Sequence, residues 1–175
     1  MGKKKISFGL SVREIDKAIK ELEQYKQEII GKTELLRKKI AERLENLAAS
    51  GFAGAIVDDL TEESGGVRYA QVATSVDERG NISVVIAQGE DAIWVEFGAG
   101  VYHNGSAGSS PHPKGSELGF TIGDYGKGMG KKNAWGFYED GELRLTHGTP
   151  AVMPMYNSVK IVCDEIADIA KEVFK

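Results

Sequence analysis

The sequence predicts an α+β domain in which an antiparallel β-sheet of two hairpins packs with a long N-terminal helix and a C-terminal helix. Two helical periodicities predict it, since apolar residues recur every three or four positions over residues 11–49 and again over 154–174. Two hairpin signals complete the pattern, since apolar residues alternate around turn sequences within 66–97 and 134–146. The chain has 175 residues, 41% hydrophobic and 27% charged, which suits a single domain over 1–175.

The first helix is expected to follow a flexible N-terminus, residues 1–10. Ser11 with Glu14 three residues later forms a capping box, and Ser50-Gly51 is a typical stop. A continuous helix between them would be about 57 Å long at 1.5 Å per residue, longer than a compact domain of this size is wide. It therefore either breaks near Gly31 or projects and packs on a partner. The apolar stripe that would make this contact includes Ile19, Leu22, Leu36 and Ile40.

Two hairpins and a final helix are expected after the first helix. Val67–Val76 and Ile82–Ala87 are predicted to be paired strands joined by a turn over residues 77–81. The second hairpin turns at Asp140-Gly141, a dipeptide that favours a tight turn between strands. Pro154 suits the first position of the last helix, because a backbone N–H is not needed there.

A glycine-rich segment over residues 98–133 separates the hairpins. Ten of its 36 positions are glycine, and a loop of this length inside a domain is usually functional or disordered. Three interpretations stay open: an arm that orders on a partner, a disordered loop, and a lid over a substrate. The apolar residues of the arm that we expect to contact a partner are Leu118, Phe120, Tyr125 and Met129.

Charge is distributed unevenly along the chain. Residues 1–50 carry a net charge of +4, residues 51–112 carry −7, and residues 113–175 carry −1. A lysine-rich solvated helix explains this pattern, as does a basic face that meets the acidic face of a neighbouring subunit. The third interpretation is a nucleic-acid-binding module that uses the basic N-terminal third. Lys and Glu are interleaved within the first helix, which weakens that third interpretation.

Several classes of protein are excluded by sequence patterns. No apolar run approaches the ~20 residues that span a bilayer. No apolar stretch follows Lys3-Lys4-Lys5, so a secretory signal is not expected. Cys163 is the only cysteine, so no intrachain disulfide forms, and a reducing compartment such as a cytosol fits.

The sequence contains few residues in catalytic patterns. The segment Gly126–Lys132 resembles a phosphate cradle but lacks the spacing of one, so a flexible basic loop is expected. His103, His112 and His147 lack zinc-ligand spacing, and we expect exposed loop histidines together with a core Cys163. Glu96 lies in the short apolar segment 90–97, whose type the pattern does not decide. It is expected either to accept hydrogen bonds from the next loop or to act as an acid or base.

Two short motifs stand at either end of the glycine-rich segment. The first comprises Trp94, Val95, Glu96, Phe97, Gly98 and Gly100; the second comprises Gly148, Pro150, Ala151 and then Pro154 at the entry to the last helix. In composition, order and separation, and with His112-Pro113 between them, these motifs resemble the small tail-component proteins of long-tailed bacteriophages (siphophages). Members of that family take part in head–tail joining or tail completion, and the resemblance covers about residues 11–174.

The resemblance implies a structural protein, not an enzyme, that forms a homo-oligomeric ring at the neck or upper tail of the virion. It implies no cofactor, no metal, no membrane and no small-molecule substrate. Expected partners are the chain itself and neighbouring connector, tail-terminator or tail-tube proteins, with DNA only passing through the channel. Assembly would occur in the cytoplasm of the bacterial host. The residues alone leave one further alternative, a small hydrolase or lyase that uses Glu96 with a loop histidine under a mobile lid.

Overall fold

The structure, a computed structural model, describes residues 6–58, 66–98, 110–115, 117–120, 135–146 and 148–175. Its elements in chain order are α1 (Val12–Ala53), β1 (Ile56–Asp58), β2 (Val67–Tyr69), β3 (Ala73–Arg79), β4 (Ile82–Gln88), α2 (Ala92–Phe97), β5 (Trp135–Glu139), β6 (Glu142–Thr146) and α3 (Pro154–Val173). Two long helices with short antiparallel strands confirm the α+β fold that the sequence predicts.

Helix α1 is continuous through Gly31, so the expected alternative of a break at this residue is wrong. The Ser11 side chain accepts a hydrogen bond from the backbone N–H of Glu14, as the capping box predicts. The helix continues past Ser50-Gly51 and ends at Ala53, capped by Gly54. Its 42 residues span about 63 Å.

The strands form three separate two-stranded antiparallel sheets, β1–β2, β3–β4 and β5–β6, rather than one sheet of two hairpins. The predicted strand Val67–Val76 is wrong, because it divides into β2 and the start of β3. The buried carboxylate of Asp91 accepts hydrogen bonds from the Arg68 side chain at 2.6 and 2.9 Å and from the Gln71 backbone N–H at 2.8 Å. These bonds hold the chain away from strand geometry between β2 and β3, and β2 pairs with β1 instead.

Both hairpins turn through two residues. Asp140-Gly141 forms the predicted turn, and its positive φ angles of 51° and 84° are those of a type I′ turn. The first hairpin turns only at Gly80-Asn81, with φ of 58° at the glycine, so the five-residue turn predicted over 77–81 is wrong. Residues 77–79 instead extend β3, because a two-residue turn matches the twist of the flanking strands.

The core lies at the C-terminal half of α1. Phe52 and Val95 are almost fully buried there, together with Ala48, Ala55 and Val57. Helix α3 runs antiparallel along this half, because its first residue Pro154 lies against Gly51 and its later residue Glu165 bonds Arg43.

The ion pair between α1 and α3 is bidentate, with two bonds of 2.8 Å between Arg43 and Glu165. The hydrogen bond from Arg43 lowers the pKa of the Glu165 carboxyl, and the same bond raises the pKa of the guanidinium. Helix α3 has 20 residues, about 30 Å, so it covers roughly half the length of α1. Cys163 is exposed, so the prediction of a core cysteine is wrong. The adjacent residue Val162 is buried instead.

Within the described ranges, none of the helices combines the length and the apolar character that crossing a membrane requires.

Candidate functional site

The two sequence motifs meet in the structure where α2 ends. Gly98 has φ of 81°, and a Cβ at this position would lie 3.1 Å from the backbone nitrogen of Ala151. The carbonyl oxygen of Val95 accepts a hydrogen bond from the N–H of Val152 at 2.9 Å. The glycine permits a close backbone approach that a larger residue would block, so the two motifs form one structural unit.

Glu96 lies at the centre of this junction and caps helix α3 from a different element. The residue is 7% exposed, and its carboxylate accepts hydrogen bonds from the backbone N–H of Met155 at 2.8 Å and of Tyr156 at 2.9 Å. The N-cap residue Met153 has φ of 56° and no side-chain capping bond. The first N–H groups of a helix need acceptors, and a negative charge there is favourable. Glu96 therefore accepts its hydrogen bonds from α3 rather than from the next loop.

His112 joins the glycine-rich segment to this junction. Its Nε2 lies 3.3 Å from Oε1 of Glu96, and its Nδ1 accepts the backbone N–H of Lys114 at 3.0 Å. Because Nδ1 accepts that N–H, it carries no proton, so the ring proton lies on Nε2, the nitrogen that faces Glu96. The His112 residue is only 9% exposed, so the expectation of an exposed loop histidine is wrong.

The described part of the glycine-rich segment folds back on itself and packs on α2. Ser110 N–H donates to the carbonyl of Phe120 at 3.0 Å, which closes the loop. The Phe120 ring stacks on Phe97 at 4.6 Å and meets the edge of Trp94 at 6.1 Å. Leu118 is half exposed beside them. This portion of the predicted arm is an integral part of the junction, because aromatic stacking and backbone bonds hold it there.

Other predicted residues lie outside the described residues: Gly100, His103, Tyr125, Met129 and His147, together with the segment Gly126–Lys132. Of the second motif, Pro150 is exposed and Gly148 is half-buried; Gly148 donates its N–H to Thr146. Across the ranges that the structure describes, no three side chains of His, Cys, Asp or Glu are grouped as a metal would need.

A second candidate surface is the apolar stripe of α1. Ile19 and Leu22 lie beyond the reach of α3 and are 49% and 53% exposed. Leu36 and Ile40, farther along the same stripe, line a groove of about 330 Å³ with Val85 of β4. The part of α1 that extends beyond α3, residues 12–35, is the projecting half of the helix. The four predicted stripe residues therefore belong to a surface that begins on this projecting half and ends in the groove.

Several basic side chains of the first third form ion pairs within the chain. Arg37 bonds Glu78 and lies 2.6 Å from the Ser83 hydroxyl, and Lys39 lies 3.6 Å from Glu172. Hydrogen bonds from Ser83 and Arg37 lower the pKa of the Glu78 carboxyl. No sequence pattern predicts these ion pairs, because the two residues of each pair lie far apart along the chain.

Comparisons with protein-family models, with curated proteins and with solved structures find no match to this chain.

Proposed function

We propose that this chain is a non-enzymatic structural subunit that assembles with copies of itself into a ring at the head–tail junction or tail terminus of a tailed bacteriophage. The observation that carries the proposal is the projecting half of α1, whose apolar stripe has no cover from α3. The resemblance of the two motifs supplies the virion context. Their direct contact at Gly98 and Ala151 supports treating them as one structural unit.

The exposed stripe supports assembly because of where its apolar side chains lie. Val12, Ile15, Ile19, Leu22 and Ile30 are between 38% and 76% exposed and lie on one side of the helix. Contiguous apolar surface of this kind marks a protein interaction site in soluble proteins. A subunit that offers the stripe to a different surface of its neighbour makes a head-to-tail contact, and such contacts close into rings.

The charge of the projecting half favours a protein partner. Residues 12–35 carry five Lys or Arg and six Asp or Glu, so their net charge is close to zero. A nucleic-acid-binding helix would instead need an excess of basic residues along one face. In the virion the other partners are connector, tail-terminator or tail-tube proteins, and DNA only passes through the channel.

The second candidate function, a small hydrolase or lyase, draws on the 3.3 Å approach of His112 to Glu96. Both carboxylate oxygens already accept backbone N–H groups of α3, and the residue is buried. A general base needs a free lone pair directed at its substrate. The fixed donors therefore favour the structural role of Glu96.

The first test replaces an apolar stripe residue by a charged one. We expect Leu22→Glu to prevent assembly, because it places a charge in the centre of the contact. Gln24→Glu is the matched control, since it adds the same charge to an exposed position on the opposite face of the helix. Light scattering over a concentration series measures the mass. Wild type and Gln24→Glu should form a discrete ring-sized species, and Leu22→Glu should lose it and leave a species of only one or two 18.9 kDa chains. Equal masses for wild type and Leu22→Glu would contradict the proposal.

A further inference from the structure

The outer edge of β4, beside the groove that α1 forms, pairs with no strand among the described residues. Arg79 and Ile82 flank the two-residue turn, so they form a hydrogen-bonded pair. Along the rest of the hairpin, residue pairs that bond to each other across the two strands alternate with pairs that do not. This alternation directs the backbone N–H and C=O groups of Ser83, Val85 and Ala87 away from β3. In the described part of the chain these groups bond no other backbone group.

Strand β4 also lacks the features that protect an edge from pairing. Its seven residues, Ile82–Gln88, contain no charged residue and no proline, and four of them are Val or Ile. Edge strands of monomeric proteins usually carry a charge, a proline or a bulge that prevents pairing. The neighbouring strand β3 carries Asp77, Glu78 and Arg79, so the unprotected edge is confined to β4.

We propose that two copies of this chain associate by antiparallel pairing of β4 with β4 around a two-fold axis at Val85. Val85 is the central one of the three outward positions, so the pairing is self-complementary. It sets Val85 opposite the partner's Val85 and Ser83 opposite the partner's Ala87. Three such pairs exchange about six hydrogen bonds, two for each pair. The two hairpins then form one four-stranded sheet.

Side chains on both faces of the joined sheet suit this pairing. On the face away from α1, half-buried Val84 lies opposite the partner's Ile86, a pair of β-branched residues that stabilises cross-strand contacts. On the α1 face the Val85 side chains meet beneath the two grooves, which Leu36, Ile40 and Leu44 line. No charged residue of β4 opposes another, so a second copy fits this edge without like-charge repulsion.

A buried polar atom in the wall of the groove is a second, independent observation that favours a second chain beside the groove. The Nε of Arg37 is buried and has no hydrogen-bond partner within the described ranges. A buried donor without an acceptor lowers stability. Arg37 lines the same groove as Val85, so a chain that closes the groove brings acceptors to its side.

The test uses single cysteines in the full chain. Cys163→Ser removes the exposed native thiol, and Val85→Cys then places one thiol at the proposed axis. Opposed residues of a bonded antiparallel pair have Cα atoms about 5.5 Å apart, within the range that a disulfide spans. We expect mild oxidation to convert most of the Val85→Cys protein into a dimer at twice the 18.9 kDa chain mass.

Val76→Cys is the matched control, because Val76 is the direct cross-strand partner of Val85 on the other strand of the hairpin. It should remain monomeric on the same gel. Ser83→Cys and Ala87→Cys chains provide a second measurement: a mixture of the two should cross-link, while each alone should not. Absence of a dimer from Val85→Cys together with absence of cross-linking in the mixture would overturn the proposal. Equal dimer yields from Val76→Cys and Val85→Cys would also overturn it.

The β4 contact goes beyond the proposed ring, because it uses a different surface from the α1 stripe. Combining Leu22→Glu with Val85→Cys separates the two ideas. If the double variant still cross-links through the thiol of Val85→Cys but no longer forms the ring-sized species, both contacts are supported. Loss of the cross-link in Val85→Cys with an intact ring would reject only the β4 contact.

Discussion

At the scale of single residues, Glu96 connects the first motif to the start of helix α3. One carboxylate caps α3, lies 3.3 Å from Nε2 of His112 and sits between two segments that are distant in sequence. Its acceptor role follows from its place in an apolar segment, where a carboxylate needs fixed donors. The contacts of Glu96 with α3 and with His112 were not predictable from the sequence, because neither lies at a fixed spacing from Glu96. The burial of His112 was missed for the same reason.

Replacing Glu96 by Gln tests this role. We expect Glu96→Gln to lower the free energy of unfolding by about 1–3 kcal/mol, because an amide removes the charge and one of the two acceptors for α3. Urea denaturation monitored by circular dichroism measures the loss. Glu90→Gln is the control, since Glu90 is exposed at the start of the same segment and should shift stability by under about 0.5 kcal/mol. An unchanged stability for Glu96→Gln would favour the acid or base alternative.

At the scale of elements, periodicity predicted the helices far better than the strands. A stripe repeated over ten turns identifies α1, and Pro154 marks the start of α3 as observed. The strand predicted over 67–76 was wrong because Asp91, a residue beyond the hairpin, holds Gln71 away from strand geometry. Sequence alternation indicates that a strand exists, but it does not identify the partner of the strand.

Gly31 provides the test of a straight α1. Its position is helical, and a Cβ there would meet no atom within 4 Å. We expect Gly31→Ala to raise the free energy of unfolding by about 0.5–1 kcal/mol, because alanine loses less backbone entropy in a helix. Gly80→Ala is the matched control, since it is equally free of neighbours but has φ of 58° and should destabilise the protein. A loss of stability in Gly31→Ala, measured by urea denaturation, would indicate a bend at this position.

At the scale of the whole molecule, ion pairs within the chain connect part of the basic first third to later elements. Basic residues of the first third pair with acidic residues of later elements, as Arg37 does with Glu78 and Arg43 with Glu165. The projecting half of α1 presents apolar side chains among charges of both signs, so burial of apolar surface is the driving force available for assembly.

Salt dependence distinguishes this driving force from the charged alternatives. Apolar contacts are not screened by salt, so the assembled mass should stay the same when salt rises from about 50 to 200 mM. Binding of nucleic acid through several phosphate contacts would instead weaken by orders of magnitude over that range. Light scattering at fixed protein concentration measures the mass, with Leu22→Glu as the dissociated reference. A fall of the wild-type mass toward 18.9 kDa with rising salt would contradict apolar assembly, and it would indicate that opposite charges on neighbouring subunits hold the ring together.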